Sequence, residues 1–313
     1  MPRGPGRSYR TGMSLMELFK RFPDDETAEQ WLVKVRWRDG ICCPREGCGS
    51  DNVQVGTTHP SMPFRCRACR KFFSVKTNTV MQDSKLGAQI WVIALYLMNT
   101  GIKGVSSMKL HRDLGITQKS AWHLLQRIRE VWNQFNDLPA FLGPIQADET
   151  WLGGLDKNRH RSKRHGRNWR ARRTPVIGVF DERTREVSAQ VVDQVDTRTA
   201  MKVVDDRIDN PFVAVTTDEN PVYNAVIRHY WVNHGVGQFV NDTATTNGIE
   251  SFWALLKRGY HGTYHWFSRK HAQRYVNEFA GRQNWRVMDT EEMLEASVRA
   301  MVGKRLTYAE LTA

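Results

Sequence analysis

The residues with the most chemical potential lie between 245 and 265, in TTNGIESFWALLKRGYHGTYH. From Glu250 the spacing of Phe252, Trp253, Leu255 and Leu256 predicts an amphipathic helix. Lys257 follows Glu250 by seven residues. Seven steps of about 100° return to nearly the same face, roughly 10 Å further along the axis. A carboxylate and an ammonium placed this way could bind a metal at one end and hold a phosphate backbone at the other. A plainer account also fits. Asn247 and Glu250 have the Asn-x-x-Glu spacing of a variant capping box, and Lys257 could be a solvated charge.

Two earlier aspartates fall on candidate strands. PIQADETWLGG carries Asp148, and PFVAVTTDENPVY is β-branched and ends at Asp218. Neighbouring side chains on a strand point to opposite faces, so Asp148 and Glu149 are not expected to serve one site. Asn220–Pro221 nearby would also let Asp218 simply cap a turn.

The five cysteines all precede residue 70. Cys43 and Cys48 form a C-x4-C pair in CPREGCGS, and Cys66 and Cys69 a C-x2-C pair in FRCRACRKFF. An interval of 18 positions from Cys48 to Cys66 suits a β-hairpin with one knuckle at each end. Four thiolates so gathered are the ligands of a closed structural Zn²⁺ site, with Cys42 as the spare because Cys43 opens a Cys-Pro knuckle. Buried or reactive thiols are the alternative. So small a module would depend on the metal for its core. Arg65, Arg67, Arg70 and Lys71 around the second knuckle could meet phosphates or be ordinary surface charge.

These groups need positioning elements. Residues 13–35 predict two short helices broken at Pro23, with Asp24 or Asp25 as cap, and 84–99 an apolar helix ended by Gly101. Next come helix 104–113, a turn at Leu114–Gly115–Ile116 and helix 117–135 with Thr117 as N-cap. That pattern fits a helix-turn-helix whose recognition helix begins with Gln118, Lys119, Ser120 and His123, or else a plain αα-hairpin. Residues 157–173 hold nine Lys/Arg and no acid. Within them Arg161, Lys163, Arg164, Arg167, Arg170 and Arg172 suit a phosphate-tracking strap, although a solvated disordered loop is the bland reading. TPVIGVFDERTREVSAQVV predicts a β-hairpin turning at 181–184, and 197–208 a helix capped by Thr197. A mixed aromatic and basic helix is expected at 264–287, and one or two helices without identifiable chemistry at 291–313.

Length 313 leaves room for two or three domains. The net charge of +13 favours a polyanionic partner. With no apolar run of transmembrane length and no signal-peptide pattern, the expectation is a cytoplasmic protein with no membrane partner. The N-terminal MPRGPGRSYRTG reads as a disordered basic arm.

CPREGCGS with FRCRACRKFFSVKTNTVM, ADETWLGG, TTDENPVY and NGIESFWALLKRGYHGTYHWFSRKHAQRYVNEFAGRQN occur in that order over about residues 40–285. Together they resemble a bacterial insertion-sequence transposase of the DDE, RNase H-like superfamily, and within it the ISXO-type family numbered fifteen ninety-five. The resemblance implies a multidomain chain with a small β zinc ribbon, a helical helix-turn-helix segment and an α/β RNase H-like catalytic core. The expected bounds are an arm with short helices at 1–35, the ribbon at 36–80, the DNA-binding segment at 81–140, the catalytic domain at 141–290 and a helical tail at 291–313. Carried onto this sequence, the site is Asp148, Asp218, Glu250 and Lys257, with Asn247 as the alternative third ligand one helical turn earlier. Glu250 is preferred because Mg²⁺ favours a charged carboxylate.

By that resemblance two Mg²⁺, or Mn²⁺ in their place, would support cleavage of the element's terminal inverted repeats. Joining of the freed 3′-OH to double-stranded target DNA would follow. Lys257 and Arg258 would hold DNA backbone, and cutting two ends implies a homodimer or higher assembly, in a nucleoid-associated setting. A nuclease without strand transfer and a transposase-derived DNA-binding regulator are the other classes this sequence admits.

Overall fold

The computed structural model describes residues 11–137, 140–154, 160–163, 173–210, 212–226, 229–231 and 245–313. The chain divides into two compact units, one from residues 1–131 with 286–313 and the other from 132–285.

The first unit opens with α1 (Leu15–Arg21) and α2 (Asp25–Arg36). Pro23 separates them, and Asp24 caps α2 by accepting from the Thr27 amide at 2.8 Å. Next come three short antiparallel strands, β1 (Val53–Val55), β2 (Phe64–Cys66) and β3 (Phe72–Phe73). Their core is small: Phe64 and Phe73 meet Trp37 edge-on, with ring centroids 5.6 and 6.0 Å away, and Cys43 and Cys66 complete it.

α3 (Ala88–Thr100) is buried on most of its surface and ends at Gly101, as its apolar run requires. α4 (Ser107–Leu114) and α5 (Gln118–Arg129) are joined through Gly115, whose φ of 63° is the left-handed conformation glycine adopts without steric cost. Ser106 and Thr117 cap the two helices. α5 stops at Arg129 and gives way to a 3₁₀ stretch over Glu130–Asp137, shorter than the helix expected to 135.

The second unit is built on a five-stranded sheet. β4 (Ile145–Leu152), β5 (Thr174–Asp181) and β6 (Val187–Val191) run antiparallel in sequence; α6 (Thr197–Asp205) then leads to β7 (Val215–Thr217) and β8 (His229–Trp231). The spatial order is β6-β5-β4-β7-β8, with β7 parallel to both β4 and β8. α6 is capped by Asp196, one residue before the expected Thr197. α7 (Asn247–Gly259), a π-helical turn and α8 (Arg269–Asn284) follow.

Strand alternation sorts the core into two layers. Leu152, Val176 and Phe180 face Ile249, Phe252 and Trp253 of α7 and Val276 and Phe279 of α8. Ile145, Ala147, Ile177 and Val179 face Ala200, Val203 and Val204 of α6, with Tyr223 beside them. Each fully buried aliphatic or Phe side chain contributes about 1.5–3 kcal/mol relative to exposure. The mixed α/β unit is therefore held from both sides of its sheet.

The chain then returns to the first unit. α9 (Thr290–Ala300) buries Met293, Leu294 and Val298, and its Ser297 hydroxyl accepts from Asn99 Nδ2 of α3 at 2.9 Å. α10 (Tyr308–Thr312) closes the chain with Leu311 fully buried.

Candidate active site

α7 is fixed to the sheet by three short-range features. Its first buried turn docks through the Ile249 amide, which donates to Gln146 Oε1 at 3.0 Å. Trp253, buried on the same layer, lies across Gly178, the β5 residue directly paired with Asp148. A Cβ at Gly178 would stand 2.7 Å from the indole, so only glycine lets the ring lie this close. From there Trp253 Nε1 donates to Asp148 Oδ2 at 3.0 Å.

Asp148 is brought together with Asp218 and Glu149: ligand oxygens of the three lie within 4.8 Å of one another. The expectation that Glu149 could not join Asp148 is corrected here. Alternation does hold along β4, but pairing with β7 covers only Ile145 and Gln146, and β7 ends at Thr217. Past that end Asp148 and Glu149 stand at an open strand edge, where carboxylates leaving opposite faces converge on Asp218. Asn220 Nδ2 and the Tyr223 hydroxyl donate to the Glu149 carboxylate at 2.6 and 3.1 Å. The Asn220 amide in turn donates to Asp218 Oδ1 at 3.0 Å. Burial, reinforced by the charges of Glu149 and Asp218, pushes the Asp148 carboxyl up to about 8. Three carboxylates this close repel one another, and a hard divalent cation with oxygen preference matches the donor set.

Glu250 is not in that group. It is exposed at the start of α7 and accepts from Thr246 Oγ1 at 2.6 Å, with Thr246 as the helix N-cap. Asn247, the alternative, is also exposed, as the first residue of α7. Lys257 is exposed and lines a cavity of about 340 Å³ together with Glu149, Arg173, Tyr260 and His261, so it shares a cleft with one member of the acidic cluster. Arg258 is exposed beside it on α7.

The four cysteines that spacing singles out also meet. Cys43 Sγ lies 3.7 Å from Cys69 Sγ, and Cys48 Sγ 3.7 Å from Cys66 Sγ. A tetrahedron with Zn–S near 2.3 Å has S···S edges of roughly 3.8 Å, which these two pairs match, and all four sulfurs lie within 4.8 Å of one another. Cys42 lies outside the set. Burial pushes the Cys43 thiol up to about 12, whereas the Cys69 backbone amide holds Cys66 down at about 7. A cation would draw all four to thiolates.

On α5 the residues expected to read DNA have other partners. Gln118 Nε2 donates to Ser107 Oγ at 3.0 Å, and Ser120 belongs to the Thr117 cap. Lys119 Nζ sits 4.3 Å from the Tyr308 ring centroid. The His123 ring meets Tyr308 edge-on and donates to the Leu306 carbonyl at 3.3 Å, and burial lowers its pKa. The C-terminal turn and α10, anticipated as chemically silent, thus pack on this stretch of α5. Arg161 is exposed in a short 3₁₀ turn. The side chain of Lys163 and all of Arg164, Arg167, Arg170 and Arg172 lie outside the described residues.

A mixed sheet gathers two aspartates and a glutamate at the edge of its central strand, an arrangement consistent with the acidic-triad domains of the DDE class. More narrowly, residues 140–284 match the ISXO2-like transposase domain of the IS1595 family. The chain is also 26% identical, over 261 residues covering 76% of this chain and 84% of the relative, to an uncharacterized protein in transposable element ISH50 of Halobacterium salinarum. Among solved structures, a chain from the simian T-cell lymphotropic virus intasome in complex with PP2A regulatory subunit B56 gamma aligns at 13% identity with a TM-score of 0.27. That alignment covers 62% of this chain and 64% of the other, a little under two thirds of its length.

Proposed function

We propose that this protein is a metal-dependent DNA transposase, which cuts the ends of its element and joins the 3′-OH to target DNA. The observation that carries the reading is the Asp148–Glu149–Asp218 cluster inside an ISXO2-like transposase domain. The strand order with three antiparallel strands followed by two parallel ones supports an RNase H-like core. The cysteine spacing supports a zinc ribbon, and the α4–Gly115–α5 turn supports a helix-turn-helix.

Asp148 and Asp218 would hold Mg²⁺, with the third carboxylate supplied by Glu149 or Glu250. Glu149 is within reach in the structure, whereas Glu250 would have to exchange its Thr246 bond for the metal. Bound Mg²⁺ would lower the pKa of an attacking water and neutralise charge on the leaving oxygen. Trp253 orients Asp148 from behind, while Asn220 and Tyr223 orient Glu149. Lys257, which lines a cavity with Glu149, would pair with the DNA backbone beside the reacting phosphate. Exposed Arg161 and the remaining insert cations, with Lys119 and Arg258, would follow the backbone elsewhere. Acting on two ends requires at least two copies of the chain.

The deciding experiment mixes the purified protein with a labelled duplex copied from the DNA flanking its reading frame and a supercoiled target, with Mg²⁺ or EDTA. Mg²⁺-dependent joined product is expected, and it should vanish in Asp148→Asn and Asp218→Asn. Cleavage without joining would turn the reading to a nuclease, and binding without cleavage to a regulator. Comparing Glu149→Gln with Glu250→Gln then assigns the third ligand.

A further inference from the structure

Beside the acidic cluster lie two cavities that share one wall. Trp151 and Arg173 line both. One holds Glu149 and Lys257. The other, about 300 Å³, is bounded further by Pro175, Gln194, Val222 and Arg269. Trp151 is paired across the sheet with Pro175 and lies two residues past Glu149 on the same face of β4. The second cavity therefore opens within one residue pair of the carboxylates, and Asn220, which holds Glu149, is part of its lining.

The two cavities differ in chemistry. The first offers a carboxylate and an ammonium, which suits the phosphate chain. The second offers an indole, a proline and the valines Val195 and Val222 as apolar walls, a guanidinium from Arg173, the carboxylate of Asp193 and the amide of Gln194. Arg269 is anchored by Asp193 at 2.6 Å, so its charge is partly satisfied in place. A volume near the lower end of ligand pockets is ample for one planar ring system. Flat aromatic surface beside cations is how proteins hold single bases, since every base has a π-face and indole stacking tolerates any sequence.

Resting on the function proposed above, we infer that this second cavity receives one unstacked nucleobase of the DNA strand whose phosphate lies on Asp148 and Asp218. Trp151 supplies the stacking surface. The base leaves the duplex next to the cleavage point, and its unstacking cost is offset by the indole contact.

The test uses the full-length protein with duplexes copied from the flanking DNA, carrying 5-iodouracil at successive positions around the cleavage point, in Ca²⁺ so that strands stay intact. Irradiation should crosslink one position to the peptide containing Trp151. Trp151→Leu should abolish that crosslink and weaken end binding roughly tenfold or more. Trp151→Phe, which keeps a ring and the fold, should restore most of the affinity. Crosslinks spread evenly over positions, or affinity unchanged in Trp151→Leu, would overturn the inference. If Mg²⁺-dependent cleavage and joining persist in that case, only the base pocket falls. If the wild-type protein cuts no DNA at all, the transposase reading falls first and the pocket with it.

Discussion

At Asp148, burial and two neighbouring carboxylates act in the same direction and hold the carboxyl near 8. An unfolded chain releases this proton around pH 4, so between about 4 and 8 the folded state binds a proton that the unfolded state lacks. Stability therefore falls as pH rises across that window, and it is fully present only below it. The expected result is that metal-free wild-type protein loses melting temperature relative to Asp148→Asn between about pH 4 and 8, and that Mg²⁺ recovers the loss at pH 8. A difference that stays flat with pH would contradict this account. Trp253→Phe removes the N–H held by Asp148 Oδ2, and such outer partners typically cost roughly 10–100-fold in metal affinity or activity. Mn²⁺ titration followed by electron paramagnetic resonance measures it directly. Residue types and spacing made the four cysteines legible from the sequence, whereas the two aspartates were singled out by the family resemblance. Glu149 escaped because the alternation rule describes a strand flanked along its whole length, and β4 loses its β7 neighbour just where Asp148 and Glu149 stand.

Among the elements, α7 depends most on what lies beneath it. Gly178→Ala puts a methyl 2.7 Å from the Trp253 ring, so ring or strand must shift. Overpacking of this kind costs about 1–3 kcal/mol. Thermal melts should register that loss, together with weaker divalent binding as the indole leaves Asp148. Wild-type metal affinity in Gly178→Ala would show that the docking is looser than described. For β1–β3, whose core is a few rings around the thiols, stripping metal with a chelator or replacing Cys66 with Ser should unfold the strands and change the near-ultraviolet signal of Trp37. Helix boundaries were readable where punctuation is strong, as at Pro23–Asp24 and at Gly115. They were not where it is ambiguous: Asp196 and Thr197 are both good caps, and Asp196 takes the position. β8 is three residues long, too short to leave a periodic signal.

For the whole molecule, the charge of +13 predicts a steep response to salt. If six phosphates are neutralised, DNA affinity should drop by roughly 10³ between about 50 and 200 mM salt. A shallow slope in a fluorescence-anisotropy titration would mean that few of the cations touch the backbone. The paired cysteines, many of the helices and the strands of the mixed α/β unit were readable in advance from local patterns. The return of α9 to α3, tied by Asn99 and Ser297 almost two hundred residues apart, was not, since no local pattern encodes a pairing at that distance. This return has a consequence in time. A chain leaving the ribosome presents α1 to α5 first and must release the entire 132–285 unit before Leu294 and Ser297 exist to close the helical unit. Synthesis interrupted by a premature stop within the second unit leaves a helical unit without α9. A truncated product cannot then complete the fold of its first unit.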